Sequence, residues 1–109
     1  MRVTKLVVAV VQDQDAARIL SALVRAGHGA TRLASSGGFL RQGNTTILVG
    51  TDDERLEETL AVLRELGGTR QTPVQPFAPL DHPLLRRPVE VQAGGAVAFV
   101  LDVLRVERF

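Results

Sequence analysis

The chain has no cysteine among its 109 residues, which excludes disulfides, thiolate nucleophiles and the common structural zinc sites. It has only two histidines, so the sequence predicts no metal site. With 13 basic and 12 acidic residues and no long basic tract, it predicts no general binding of DNA or RNA. The apolar run 6–11 is too short to span a bilayer, and no signal-peptide cleavage site follows it. We therefore expect a cytoplasmic protein without a membrane partner.

The composition that remains is that of an ordinary globular protein. Apolar residues make up 45% of the chain and charged residues 23%, which is typical of soluble domains. The length is enough to bury a core without covalent staples and too short for a second core. We therefore expect a single domain over residues 1–109.

Apolar periodicity predicts a strand, a helix and a second strand in the first third of the chain. Residues 3–11 are nearly continuous in apolar, mostly β-branched side chains, which indicates an interior strand. Apolar residues then recur at helical spacing over 16–23. We expect Asp13 to cap this helix and Gly27 to end it in a left-handed conformation. Residues 30–34 predict a short strand.

The middle of the chain predicts another strand and helix, followed by a proline-rich segment. Residues 45–50 are typical of a strand. Thr51 followed by Glu54 predicts a capping box at the start of a second helix, which ends at paired glycines. All five prolines lie within residues 67–88, so this segment is predicted to be a long surface loop.

The order of the elements predicts the fold class. Strands at 89–92 and 96–106, separated by paired glycines, predict an extra C-terminal strand hairpin. With the earlier elements they give the order βαββαβ, an α+β ferredoxin-like sandwich with both helices on one face of the sheet. Because the other face is bare and the strands at both ends of the chain are strongly apolar, we expect that face to be buried by self-association.

Residues 35–44, here called the clamp loop, have a composition that suits contact with a ligand. The glycines let a ligand approach the main chain. Phe39 and Leu40 are large apolar side chains that could cover a nucleobase or a neighbouring subunit. Arg41 suits a phosphate or carboxylate, and Asn44 offers a donor and an acceptor to a base edge. The same residue types fit a glycine-rich hairpin that packs Phe39 and Leu40 into its own core.

Six strings of residues occur in a specific order along almost the whole chain: 10–15 (VVQDQD), 30–34 (ATRLA), 37–41 (GGFLR), 43–46 (GNTT), 88–91 (PVEV) and 94–96 (GGA). Together they resemble the PII-like cyclic di-AMP receptor family of bacteria. The resemblance implies a homotrimer of ferredoxin-like subunits that is a signal receptor, not an enzyme, and needs no cofactor. It also implies one cyclic di-AMP in each cleft between neighbours, and loops that become ordered on binding and report to a downstream protein, which the sequence does not name.

The resemblance also implies a ligand site when it is carried over position by position. The site comprises Thr31 for a phosphate, Gly38, Phe39 and Leu40 for the base pocket, Asn44 for an adenine edge, and Gly50 and Phe99 for the adjoining wall. On general grounds Thr31 would be a structural β-branched residue, Phe99 a core residue and Asn44 a turn residue.

One position departs from the family. Its receptors usually carry an arginine where this chain has Gly29. A charge-assisted hydrogen bond of that kind contributes about 1.5–3 kcal/mol, so its loss would weaken binding roughly ten- to a hundredfold. Arg32, Arg41 or Arg108 would have to replace it, and we include Arg41 and Arg108 among the expected ligand-binding residues.

Two other functional classes are consistent with the residues. The chain could be a PII-type regulatory protein that senses another adenine nucleotide, or none, and acts by protein contact; Gly29 favours this alternative. An enzyme of ferredoxin-like fold has less support. Ser35 and Ser36 have only His28 and His82 as bases, without a recognisable hydrolase context, so we predict no catalytic residue.

Overall fold

The computed structural model describes residues 2–33, 43–74 and 89–109, with the backbone alone at 71–74 and 89–93. Eight elements lie in these ranges. In chain order they are β1 (Lys5–Gln12), α1 (Asp13–Arg25), β2 (Gly29–Leu33), β3 (Asn44–Thr51), α2 (Leu56–Gly67), β4 (Arg70–Val74), β5 (Val89–Ala93) and β6 (Val97–Asp102).

Four of the strands form one antiparallel sheet in the order β2-β3-β1-β6. The long strands β1 and β3 lie in the middle, while β2 and β6 are the two edges. Both helices pack against the same face of this sheet. The arrangement is the predicted ferredoxin-like fold, and it arises because the strands of each half are joined through a helix that covers the sheet.

The core lies between the sheet and the helices. Alternate residues of β1 point to opposite faces, and Val7, Ala9 and Val11 are almost completely buried on the helix side. Fully burying one such aliphatic side chain contributes about 1.5–3 kcal/mol. The remaining buried apolar side chains of the described residues come from α1, β3 and α2: Ala16, Ile19, Leu23, Ile47, Val49 and Leu63.

Helix α1 ends as predicted but begins differently. Gly27 has φ of +87°, and the amides of Gly27 and His28 donate to the carbonyls of Val24 and Leu23 at 3.0 Å, which is a Schellman motif. The prediction that Asp13 caps the helix is wrong. Asp13 is already the first helical residue, and its carboxylate accepts a hydrogen bond from the hydroxyl of Thr45.

The predicted capping box of α2 is also wrong. Thr51 is the last residue of β3, and the helix begins only at Leu56. A turn separates the two, in which the carboxylate of Asp52 accepts a hydrogen bond from the amide of Arg55 at 2.8 Å. Thr51 is completely buried, because β3 continues one residue further into the sheet than its apolar pattern indicates.

The strands β4 and β5 form a separate two-stranded antiparallel sheet between α2 and β6. We refer to these two strands as the hairpin. The strand β4 lies in a stretch that the prolines led us to predict as loop, and Pro73 stands opposite Glu90 in the register. A ribbon of two strands tolerates proline because outward-pointing positions need no donor. The extra strand hairpin therefore consists of β4 and β5, whereas β6 joins the main sheet.

Candidate functional site

The sheet face opposite the two helices, which we call the open face, is apolar over most of its width. Leu6, Val8 and Val10 of β1 lie on it and are only half-buried. Cross-strand partners in an antiparallel sheet share a face, so the partners of Val10, Val8 and Leu6 on β6 lie there too. These are Val97, Phe99 and Leu101, each about half exposed.

Thr31 and Phe99 belong to a single row of residues across the open face. The register pairs Thr31 with Leu48, Leu48 with Val8, and Val8 with Phe99. Because strands are spaced about 4.8 Å apart, the two residues are separated by about 14 Å along the sheet. Thr31 is exposed and Phe99 is 50% exposed. The fold thus places both side chains on one face, but on its opposite edges, and a single chain does not bring them together.

Gly50 and Gly29 lie opposite each other where β3 ends and β2 begins. A Cβ atom at Gly50 would lie 3.4 Å from Cγ1 of Val3, which packs over this glycine. A Cβ atom at Gly29 would meet no atom of the described residues within 4 Å. The position where the resemblance implies an arginine is therefore open space, next to a glycine that is closely covered.

Asn44 lies at the other end of the sheet, at the start of β3, and pairs with Gln12 in the register. Its side chain is half-buried. The chain enters β3 through Gly43, which has φ of +94° and accepts a hydrogen bond from the amide of Asp13 at 2.8 Å. The backbone on both sides of Asn44 is therefore fixed to the junction between β1 and α1.

Arg108 lines a groove of about 600 Å³ between the N-terminal segment and the residues that follow β6. Two further arginines, Arg2 and Arg105, line the same groove, and Arg105 pairs with Glu107 at 3.2 Å. The amide of Val103 donates to the carbonyl of Thr4 at 2.9 Å, which holds the two walls together. The groove is at the end of the sheet where Gly29 and Gly50 lie, and its basic lining suits an anion.

Arg32, a candidate replacement for the missing arginine, is directed away from the open face. It pairs with Ile47, whose side chain lies in the helix-side core, and it lines a depression with Leu20 and Val24 of α1. Gly38, Phe39, Leu40 and Arg41 lie outside the described residues, so their roles stay predictions.

The buried His28 stands apart from the open face, between the end of α1 and α2. Burial lowers the pKa of His28, and the charge of Arg55 acts in the same direction, against Glu58 and Asp52. The ring lies 3.4 Å from the hydroxyl of Thr59. In the described parts of the chain, no group of three or more His, Cys, Asp or Glu side chains could hold a metal ion.

The sequence reasoning missed the role of Asp15. It lies in the first turn of α1, but its side chain is 1% exposed and its carboxylate accepts hydrogen bonds from Arg18 and Arg70. Its spacing held a usable signal, since Asp15, Ile19 and Leu23 recur every four residues and therefore share one helix face. A carboxylate on the apolar stripe indicates a buried ion pair.

Two comparisons place this fold and site among known proteins. The family model described as cyclic-di-AMP receptor matches residues 4–109, and the chain therefore belongs to this PII-like receptor family. A crystal structure from Pediococcus pentosaceus ATCC 25745, of a protein described as functionally unknown, is 38% identical with a TM-score of 0.78 and covers 100% of both chains. The described residues contain no helix long and apolar enough to cross a membrane.

Proposed function

We propose that this protein is a non-enzymatic, cytoplasmic receptor that binds cyclic di-AMP in the clefts between the subunits of a homotrimer. Ligand binding would order the clamp loop and the proline-rich loop of the single domain 1–109 and so change the surface offered to a downstream protein. Membership of a cyclic di-AMP receptor family supports the ligand. The resemblance implies the trimer, the cleft and the loop ordering, and the exposed apolar side chains of the open face support self-association.

The observation that carries the proposal is the separation of Thr31 and Phe99 across the open face. If both contact one ligand, the β2 edge of one copy must approach the β6 edge of the next. Such head-to-tail contacts close into rings when the rotation between copies allows it. A ring would also cover the apolar side chains of the open face. Single apolar residues scattered over a surface need no explanation, but an apolar patch of this extent indicates an interaction site.

Each predicted site residue has a role in such a cleft. Thr31 would donate its hydroxyl to a phosphate, and Asn44 would read an adenine edge. Gly50 and Phe99 would form the wall. Arg108 would bring a cation from the basic groove, which lies at the end of the sheet that holds Gly50. We propose that the clamp-loop residues complete the site: Gly38, Phe39, Leu40 and Arg41.

Calorimetric titration with cyclic di-AMP tests the ligand, and light scattering on a sizing column tests the assembly. We expect saturable binding with one ligand per chain, and a mass of three chains of 11.8 kDa each. Thr31→Val keeps the shape but removes the hydroxyl, and we expect it to weaken binding about tenfold. Thr69→Val, at an exposed position between α2 and β4, is the matched control and should bind as the wild type does.

A PII-type protein that senses another adenine nucleotide is the second candidate, and the open space at Gly29 favours it. Without a guanidinium there, the site has less charge to offer a second phosphate. A thermal-shift panel of ATP, ADP and cyclic dinucleotides separates the two, because a ligand selective for the folded state raises Tm by mass action. A shift with ATP or ADP and none with cyclic di-AMP would favour this alternative.

A further inference from the structure

The junction between β1 and α1 contacts segments that are distant in the sequence. The side-chain nitrogen Nε2 of Gln12 donates to the carbonyl of Gly94 at 2.8 Å. In return, the backbone amide of Gly94 donates to Oε1 of Gln12 at 3.1 Å. On the other side, the backbone amide of Asp13 donates to Gly43, and its carboxylate accepts from Thr45. Two adjacent residues thus tie the chain just after the hairpin to the last residues of the clamp loop and the start of β3.

Asp15 fixes the other strand of the hairpin. The two terminal guanidinium nitrogens of Arg70, the first residue of β4, donate to this carboxylate: Nη2 to Oδ1 at 2.7 Å and Nη1 to Oδ2 at 3.3 Å. Arg18 donates to the same Oδ1 at 2.7 Å. Because a buried carboxylate is costly without partners, Asp15 holds Arg70 firmly, and the bidentate geometry also fixes the direction of the guanidinium.

The segment after β5 has little freedom to move independently of this junction. Gly94 has φ of +81°, and a Cβ atom there would lie 2.4 Å from the carbonyl oxygen of Gly68. The amide of Gly95 donates to the carbonyl of Gly67 at 2.8 Å. The start of β4 and the segment after β5 are therefore both held close to α2 and to the β1–α1 junction.

We propose that Gln12, Asp15 and Arg70 are positioning residues that couple the ligand site at Asn44 to the hairpin. A ligand that contacts Asn44 restrains the backbone of 43–45, and this segment is bonded to Asp13, the neighbour of Gln12. The restraint then reaches the hairpin through Gly94 and through Arg70. This inference rests on the proposed function, because it needs a ligand at Asn44.

Hydrogen exchange of the full-length protein, measured with and without cyclic di-AMP, tests the coupling. The reporters are the backbone amides of 70–74 and 89–93, which belong to the paired strands of the hairpin. We expect the ligand to slow their exchange about fivefold or more, the lower end of typical coupling between sites. In Gln12→Ala we expect this slowing to be reduced, because the contact with Gly94 is lost while that between Asp15 and Arg70 remains. Because coupling is reciprocal, the affinity should change by no more than the same factor.

Two control variants match the positioning residues. Gln14→Ala removes an exposed amide that donates to Oε1 of Gln12 at 2.9 Å. It keeps both bonds of Gln12 to Gly94, so its hairpin should respond as in the wild type. Arg70→Lys keeps the charge but loses the bidentate pair, and it should reduce the ligand response. Arg64→Lys makes the same change at an exposed position of α2 and should leave the response intact.

The outcomes separate the two proposals. If calorimetry detects no binding to the wild type, both are overturned. If the ligand binds but the hairpin amides exchange at an unchanged rate, the coupling alone is overturned. It is overturned too if Gln12→Ala and Arg70→Lys, both melting cooperatively, retain the wild-type response.

Discussion

Gly29 and Gly50 face each other across β2 and β3, and their Cβ positions differ in what surrounds them. A Cβ atom at Gly50 would contact Val3 at 3.4 Å, while one at Gly29 would have no atom of the described residues within 4 Å. Gly29 also does not adopt a positive φ, so the backbone accepts other residues there. The chain therefore has space for a longer side chain at the position where the resemblance implies an arginine.

We expect Gly29→Arg to tighten the binding of cyclic di-AMP. A new guanidinium beside the proposed phosphate position would add a charge-assisted hydrogen bond, so Kd measured by calorimetry should fall roughly ten- to a hundredfold. Gly29→Met is the control, because it adds a side chain of similar reach without charge and should leave Kd nearly unchanged. An equal Kd for the arginine variant and the wild type would contradict a phosphate near Thr31.

We expect Phe99→Asp to dissociate the proposed trimer. The substitution places a charge at the β6 edge of the open face, where it would be desolvated on assembly. Light scattering should then report the mass of one chain. Val24→Asp is the matched control, because Val24 is 54% exposed on α1, away from the open face. A trimer that survives Phe99→Asp would exclude this face from the interface.

We expect Gly94→Ala to destabilise the protein by about 2 kcal/mol or more, since it combines a left-handed backbone conformation with a clash against the carbonyl of Gly68. Chemical unfolding measures the change. Gly29→Ala tests the same substitution at an unobstructed position, where it should be neutral or stabilise by about 0.5 kcal/mol. Similar losses in both variants would contradict the clash.

We expect the buried His28 to make stability depend on pH below neutrality. Its folded pKa is lowered from 6.5, chiefly by burial, so the unfolded chain binds a proton more readily than the folded one. The stabilisation is complete above about pH 6.5 and is lost as the pH falls through the folded value. Urea unfolding at about pH 7.5 and about pH 5.5 should show a larger loss in the wild type than in His28→Gln. Equal losses would mean that His28 does not contribute.

Local sequence patterns predict much of the fold. The nearly continuous apolar run over 3–11, the stripe from Ala16 to Leu23 and the glycine at 27 were sufficient to predict β1, α1 and its C-terminal cap, because each depends on neighbouring residues alone. The caps at Asp13 and Thr51 failed because nearby tertiary partners and a longer β3 took precedence over local preference. The strand β4 was missed because Pro73 and the prolines that follow it predict a loop, whereas the strand forms by pairing with β5, about twenty residues away.

The candidate site too was predicted in part from the sequence and decided in part only by the tertiary structure. The order of motifs indicated the receptor family and the types of residue that would meet a cyclic dinucleotide, because these are properties of the residues themselves. Only the tertiary structure decided that Thr31 and Phe99 share a face but lie on opposite edges, that Arg32 points to the helices, and that Asp15 is buried against Arg70. Those relationships depend on strand register and helix packing, which join residues far apart in the chain and leave no local trace in the sequence.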